Sequence, residues 1–326
     1  MPELPDIVVY IEALERRVLG EKVTGVRVSS PAVMRTYDPP YDAPVGRTVV
    51  SLLRVGKRIV FGIGGGDREG KRPPSNAPIG QGGGLQAGSP FGGGADLYVV
   101  IHLMVAGRLR WEPPGKAIPK KVGLAALDFE HGSLVLTEQG THKRAGIWLM
   151  ADWEGVAGLD RGGIEPLDAT SEEFASALRA ENRTLKRALT DPRIFSGIGN
   201  AYSDEILWSA RLSPVKRTSQ LSDEEIAGLH EAVVRSLEQW TQTLRAEVGE
   251  GWPAKVTAFR DDMAVHGKFA EPCPRCGSKV QRIVYASNET NYCARCQTDG
   301  KLLADRSLSR LLKDDWPKTL EELEDG

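Results

Sequence analysis

Residues 2 and 3 of this 326-residue chain are Pro2 and Glu3, followed by Leu4, Pro5 and Asp6. Removal of Met1 would leave Pro2 as a free secondary amine. Attack of such an amine on a carbonyl-like carbon gives an iminium that is cationic by construction, and hence an electron sink. An α-amino group titrates near ~8, so a useful neutral fraction exists at physiological pH, unlike a lysine near ~10.4. Glu3 lies within a few ångströms of that amine by peptide geometry and is suited to shuttling a proton. Its alternative duty is that of a helix-start carboxylate stabilising the macrodipole. Near the other end, Cys273-Pro274-Arg275-Cys276 and Cys293-Ala294-Arg295-Cys296 place all four cysteines within 24 residues, as two Cys-x-x-Cys pairs separated by sixteen. Two disulfides would satisfy the count, but paired knuckles in a reducing compartment favour one tetrahedral, closed metal site, whose zinc is structural and not catalytic.

The elements that must position these groups follow from hydrophobic period. Residues 4–19 read as a helix, with Ile7, Ile11, Leu14 and Val18 on one face. Short β-rich runs follow at 22–28, 47–55, 57–63, 97–103, 108–111, 123–129 and 133–137, a pattern that indicates a β-sandwich with flanking helices. Residues 64–94 hold twelve Gly and four Pro; such a segment buries too little apolar surface to order itself and reads as a flexible loop between two adjacent strands. Acidic residues 152–168 read as a connector, after which the pattern turns helical. Thr170-x-x-Glu173 and Ser222-x-x-Glu225 are capping boxes, the second opening a long apolar stripe from Ile226 to Leu244. Two shorter helices, 185–189 and 202–211, are joined by Ser196-Gly197-Ile198-Gly199-Asn200. Residues 281–285 and 290–293 read as hairpin strands between the cysteine pairs, and 302–323 as an amphipathic helix.

Net charge is −2, which argues weakly against a nucleic-acid partner, but its distribution matters more than its sum. Residues 101–147 carry seven Lys and Arg against four Asp and Glu, and 253–301 carry eight against five. Acidic residues concentrate instead in 152–181 and 302–326. That arrangement permits a DNA footprint. No apolar run approaches a membrane span, and the acidic N-terminus is unlike a signal peptide, so a cytoplasmic protein is expected.

Taken in order, Met1-Pro2-Glu3-Leu4-Pro5, Gly56-Lys57, Ile101-His102-Leu103 with Gly107, Gly197-Ile198-Gly199-Asn200-Ala201-Tyr202 with Glu205, and the terminal four-cysteine finger resemble the formamidopyrimidine-DNA glycosylase / endonuclease VIII family, the helix–two-turn–helix DNA glycosylases. The resemblance spans most of the chain, excluding the Gly-rich insert and the tail after Cys296. It implies an α+β protein: an N-terminal β-sandwich with flanking helices (1–151), a helical helix–two-turn–helix domain (152–262), a four-cysteine zinc β-hairpin finger (263–300) and a C-terminal extension (301–326), the two main domains flanking a DNA cleft. It also implies a bifunctional glycosylase and abasic-site lyase acting on damaged, oxidised bases, with no cofactor beyond one structural zinc, working as a monomer on damaged or abasic DNA. Pro2 would be the nucleophile, Glu3 the proton shuttle and Lys57 a contact to the phosphate at the lesion. His102, Met104, Arg144, Asn200 and Asn288 would contact DNA; for Asn200, the backbone N–H groups of a helix start assist its amide. Tyr202 and Glu205, three apart, would buttress the turn.

Three positions depart from the family pattern. Asn288 stands where family fingers commonly carry an arginine, with Glu289 beside it repelling phosphate. Lys143-Arg144-Ala145-Gly146 keeps an arginine but lacks the aromatic wedge of Arg-Arg-Phe-Gly. Val105 occupies the position of an intercalating methionine, with Met104 one residue earlier. A weaker plug for the void left by an extruded base predicts a preference for substrates that are already unstacked.

Overall fold

The computed structural model describes residues 1–65, 94–254, 260–285, 288–303 and 317–324. Helix α1 (Leu4–Val18) opens the chain where the apolar spacing predicts it, and Ile7, Ile11, Leu14 and Val18 are all buried. Val8, Val9, Tyr10 and Ala13 are buried as well, so this helix is enclosed on most sides. Its first turn is closed by the Asp6 carboxylate, which accepts the Glu3 backbone N–H at 2.8 Å.

Eight strands form two antiparallel sheets in the first part of the chain: β1 (Gly25–Val28), β2 (Thr48–Val55), β3 (Arg58–Gly64), β4 (Leu97–His102), β5 (Gly107–Glu112), β6 (Gly123–Phe129), β7 (Gly132–Glu138) and β8 (Gly146–Met150). One sheet runs β2-β3-β4-β8 and the other β1-β6-β7-β5. Ile59, Phe61, Ile63, Val99 and Ile101 point from β3 and β4 into the core shared with α1 and the second sheet. The alternating residues Val60, Tyr98 and Val100 point the other way and pack with Trp153 and Val156 of α2 (Trp153–Ala157). Both faces of β3 and β4 are therefore covered, which is why their sequences read as apolar runs and lack alternation. The neighbouring β3 and β4 are the strands that the Gly-rich insert joins; residues 66–93 of that insert lie outside the described residues.

Strand β8 and helix α2 are absent from the sequence reading. Strand β8 is an edge strand whose ladder partner, β4, precedes it by some forty residues, so no local turn signal announces it. Helix α2 is a five-residue helix capped by Asp152, whose side chain accepts the Gly155 N–H at 2.8 Å, inside the stretch read as a connector.

Helices α3 (Ser171–Arg179), α4 (Leu185–Thr190), α5 (Asn200–Ser209) and α6 (Asp223–Val248) follow. Both capping boxes form: Thr170 with Glu173 at 2.9 and 3.2 Å, Ser222 with Glu225 at 3.1 and 3.2 Å. The finger is a hairpin of β9 (Gln281–Tyr285) and β10 (Asn288–Tyr292), followed by α7 (Ala294–Thr298). Of the C-terminal helix expected over 302–323, residues 304–316 lie outside the described residues, and α8 (Leu320–Glu324) closes the described chain. Leu320 is buried with Ile283, Tyr292 and Ala294 of the finger, and its N–H donates to the Gly300 carbonyl at 2.9 Å.

By compactness the chain divides into residues 1–162 with 240–256, and 163–239 with 257–326. This line differs from the 151/152 boundary and the single helical block 152–262 of the sequence reading. The reason is packing: Trp153 of α2 stacks edge-on with Tyr98 of β4, and Arg245 near the end of α6 makes a two-pronged ion pair with Glu12 of α1. No helix among the described residues is long and apolar enough to cross a membrane.

Candidate active site and metal centre

The first unit gathers ionisable groups around the chain's amino terminus. Pro2 is buried, as are Glu3 (1% exposed) and Asp6 (4% exposed). Burial holds the terminal amine below its ordinary value, against the attraction of Glu3; Arg108 and Lys57 push it further down. Burial also raises the Asp6 carboxyl to about 7, opposed by the N–H it accepts from Glu3. The Met1 amine, held below its ordinary value, thus lies near an acid that keeps its proton towards neutrality.

Lys57 reaches this neighbourhood from a hairpin tip. Val55 pairs with Arg58, leaving Gly56 and Lys57 as a two-residue turn, and Gly56 takes φ +60°, which that turn requires of its first residue. His102 ends β4, opposite Arg58. Burial, with the nearby charges of Arg58 and Lys57, lowers its imidazole to about 4, so it is neutral at physiological pH. At the turn from β4 to β5, Met104 adopts φ 53°, and Val105 is the apolar side chain that projects, at 55% exposure. Gly107 is obligatory there, because a Cβ would stand 2.2 Å from the Leu103 carbonyl oxygen.

Arg144 is exposed on the loop before β8. That loop is held from beneath by Glu138, a buried carboxylate that accepts the N–H of Arg144 at 2.7 Å and of Ala145 at 2.9 Å. The Arg35 guanidinium binds the Arg144 carbonyl at 3.0 Å. Ala145 itself is 1% exposed and belongs to the core, so its side chain does not project.

In the second unit, Asn200 is the first residue of α5, after the Gly197-Ile198-Gly199 turn in which Gly197 takes φ +80°. Its side-chain amide donates to the Glu289 carbonyl on β10 at 2.9 Å, and its own carbonyl accepts from Lys186 at 2.7 Å. The structure therefore brings Asn200 against the strand that carries Asn288, which is exposed. Glu289, read from sequence as a charge that repels phosphate, is engaged by Arg282 at 3.2 Å and by Asn291 at 2.7 Å. One turn along α5, Glu205 accepts three backbone N–H groups, from Ala264, Val265 and His266, at 2.8, 2.9 and 2.9 Å. Burial raises its carboxyl against the pull of those donors. Its neighbour Asp204 accepts from Lys186 at 2.5 Å and bonds the His266 ring at 2.7 Å. Tyr202 is buried beside them.

The four cysteine sulfurs lie within 4.8 Å of one another. Tetrahedral zinc–thiolate bonds of ~2.3 Å set sulfur–sulfur separations of about 3.8 Å, so the set fits zinc. The Cys273–Cys296 and Cys276–Cys293 pairs, at 4.0 and 3.4 Å, bracket that value. Both knuckles are built by backbone hydrogen bonds: Gly277 N–H to Cys273 carbonyl at 2.9 Å, and Gln297 N–H to Cys293 carbonyl at 3.0 Å. Four thiolates close the coordination sphere, so the zinc is structural.

Arg108 and Glu138 were not singled out from sequence. Asp6 carried a local signal, since it stands three residues after Glu3 in a capping-box spacing. Arg108 and Glu138 carried none, because neither belongs to a motif or a capping spacing and their surroundings are created by folding.

Comparison with known proteins agrees with this architecture. Residues 1–143 match the formamidopyrimidine-DNA glycosylase N-terminal domain, 163–246 the formamidopyrimidine-DNA glycosylase H2TH domain, and 270–298 the zinc finger found in FPG and IleRS. An uncharacterized formamidopyrimidine-DNA glycosylase-like protein of Mycobacterium tuberculosis is 39% identical over 151 residues, covering 46% of this chain and 94% of that protein. The formamidopyrimidine-DNA glycosylase of Lactococcus lactis subsp. lactis is 26% identical over 307 residues, covering 91% and 99%. Among solved structures, wild-type Lactococcus lactis Fpg bound to a DNA containing an oxidized pyrimidine aligns with a TM-score of 0.72 at 25% identity, covering 91% of this chain and all of that one. The same species' Fpg with an abasic-site DNA aligns with a TM-score of 0.72 at 24% identity, covering 91% and 99%. The chain belongs to the formamidopyrimidine-DNA glycosylase family.

Proposed function

We propose that this protein is a bifunctional DNA glycosylase and abasic-site lyase that removes oxidised bases through a Schiff base on Pro2. The observation that carries the reading is buried Pro2, set with the Met1 amine, which burial holds below its ordinary value, among Glu3, Asp6, Arg108 and Lys57. Removal of Met1 transfers the amino group to the Pro2 nitrogen. That nitrogen attacks C1′ of the damaged nucleotide; the C1′–base bond breaks and the base leaves with a proton. The sugar ring then opens at O4′, which Glu3 is placed to protonate, and an iminium links Pro2 to C1′. The iminium acidifies the C2′ hydrogen; loss of that proton and cleavage of the C3′–O bond cut the strand. Hydrolysis of the iminium releases the enzyme.

Lys57, neutral His102 and Arg144 serve DNA from the first unit, the first and last as phosphate-directed cations. Asn200 and Asn288 serve it from the second. The complexes of the Lactococcus relative with abasic and oxidized-pyrimidine DNA support damaged DNA as the partner. With Ala145 in the core and only half-buried Met104 and exposed Val105 at the β4–β5 turn, the plug for the vacated stack is small, which supports a preference for lesions in bubbles or single strands.

Borohydride reduction in the presence of an abasic-site oligonucleotide tests the reading. A covalent adduct is expected with the wild-type chain and none with Pro2→Gly. Binding of the oligonucleotide without any adduct would make the protein a DNA-structure-binding relative that has lost turnover.

A further inference from the structure

We infer that Trp208 and Arg275 form an outer-sphere clamp on the zinc site, in which the Trp208 indole N–H is the donor to the metal-bound Cys273 thiolate. Trp208 stands near the end of α5, on an element that contributes no metal ligand. Its Nε1 points at Cys273 Sγ at 3.4 Å, a normal N–H···S distance, and Cys273 is 2% exposed, so bulk water does not compete for that lone pair. Arg275, within the first knuckle, lays its guanidinium over the same indole at 4.0 Å from the ring centroid and donates from Nη1 to the Trp208 carbonyl at 2.9 Å. The knuckle therefore grips the tryptophan from above while the tryptophan donates into the knuckle.

The chemistry follows from charge. Four thiolates around one divalent ion leave a net −2 in an apolar pocket with Val265 and Val280. A thiolate that accepts an N–H is less basic and less nucleophilic, so protons and electrophiles attack it more slowly. A cation on the indole face draws density from the ring and makes its N–H a stronger donor. Helix α5 carries Asn200 at its start and Asp204 and Glu205 at its middle, all bonded to the finger or the segment leading into it. Trp208 extends that attachment to the metal itself, so zinc retention becomes a property of α5 as well as of the four ligands. This inference rests on the structural zinc and is independent of the reaction proposed above.

The test uses the zinc-loaded full-length protein with Trp208→Phe, Arg275→Met and the double variant. Zinc release into excess chelator is followed with a chromophoric indicator, and thiolate-to-metal charge transfer is followed in the cobalt-substituted protein. Trp208→Phe keeps the ring but not the donor. It should speed release about tenfold and move the charge-transfer band to lower energy, with the tetrahedral d–d bands retained. Arg275→Met, which leaves the tryptophan in place, should shift both readouts in the same direction by less. Added to Trp208→Phe, it should have no further effect on the band. Unchanged release and an unchanged band in both single variants would overturn the inference and reduce the pair to packing.

Discussion

At the residue scale, the amino-terminal cluster trades stability for a poised proton. Asp6 keeps its proton to about 7 in the folded chain against an ordinary 3.8, because burial disfavours the carboxylate. Folding therefore takes up a proton between those values. The contribution of Asp6 to stability is fully present below about pH 4 and is lost as pH rises through about 7, by at most about 4 kcal/mol. Asp6→Asn should flatten this part of the profile: urea midpoints at pH 5 and pH 8 should differ less in the variant than in the wild type. Equal differences would show that Asp6 ionises normally. Lys57, presented by its two-residue turn, should act on DNA as a phosphate contact. Lys57→Ala should weaken binding at 50 mM salt and lower the slope of log K against log salt by about 1.

At the element scale, α5 is the organising piece of the second unit. Its residues 201–207 are all buried, and its acidic pair decides where the segment before the finger lies. Glu205 satisfies three consecutive backbone donors that no strand or helix would otherwise pair. Glu205→Ala should cost about 3 kcal/mol, since buried N–H groups lose their acceptor, and Glu205→Gln should cost less. Equilibrium unfolding in urea measures both, and hydrogen exchange at residues 264–266 should rise in step. Comparable protection in Glu205→Ala would show that water or another acceptor replaces the carboxylate.

At the scale of the whole molecule, the first unit and the finger depend on different forces. The first is a conventional core of two sheets and a buried helix, sustained by apolar burial. The finger has a small apolar cluster around its sulfurs, so most of its order must come from the metal. Stripping zinc, or replacing Cys293 with Ser, should abolish protection in residues 264–298 and weaken DNA binding. Protection in β2, β3 and β4 should stay at the wild-type level. Exchange mapped by mass spectrometry distinguishes this from a single cooperative loss across the chain.

Much of this architecture is written in local pattern. Periodicity of 3.6 located α1 and the long stripe of α6, and short β-rich runs located most strands, because burial selects apolar residues within each element. The capping boxes at Thr170 and Ser222 and the paired cysteine knuckles are short-range geometry, and each formed as spelled. What the sequence could not disclose depends on which groups the folded chain brings together. Strand β8 exists because β4 offers it an edge, and Asp6 holds its proton because α1 is enclosed. Glu138 matters because two amides six and seven residues away turn back onto it. Glu289, read as a charge that repels phosphate, is engaged because Arg282 and Asn291 close on it, and Trp208 became a partner of zinc only when α5 met the knuckle. Residue types and their spacing determined which chemistry this chain carries; burial and long-range contact, which only the folded chain creates, decided the charge state, exposure and company of the groups that would perform it.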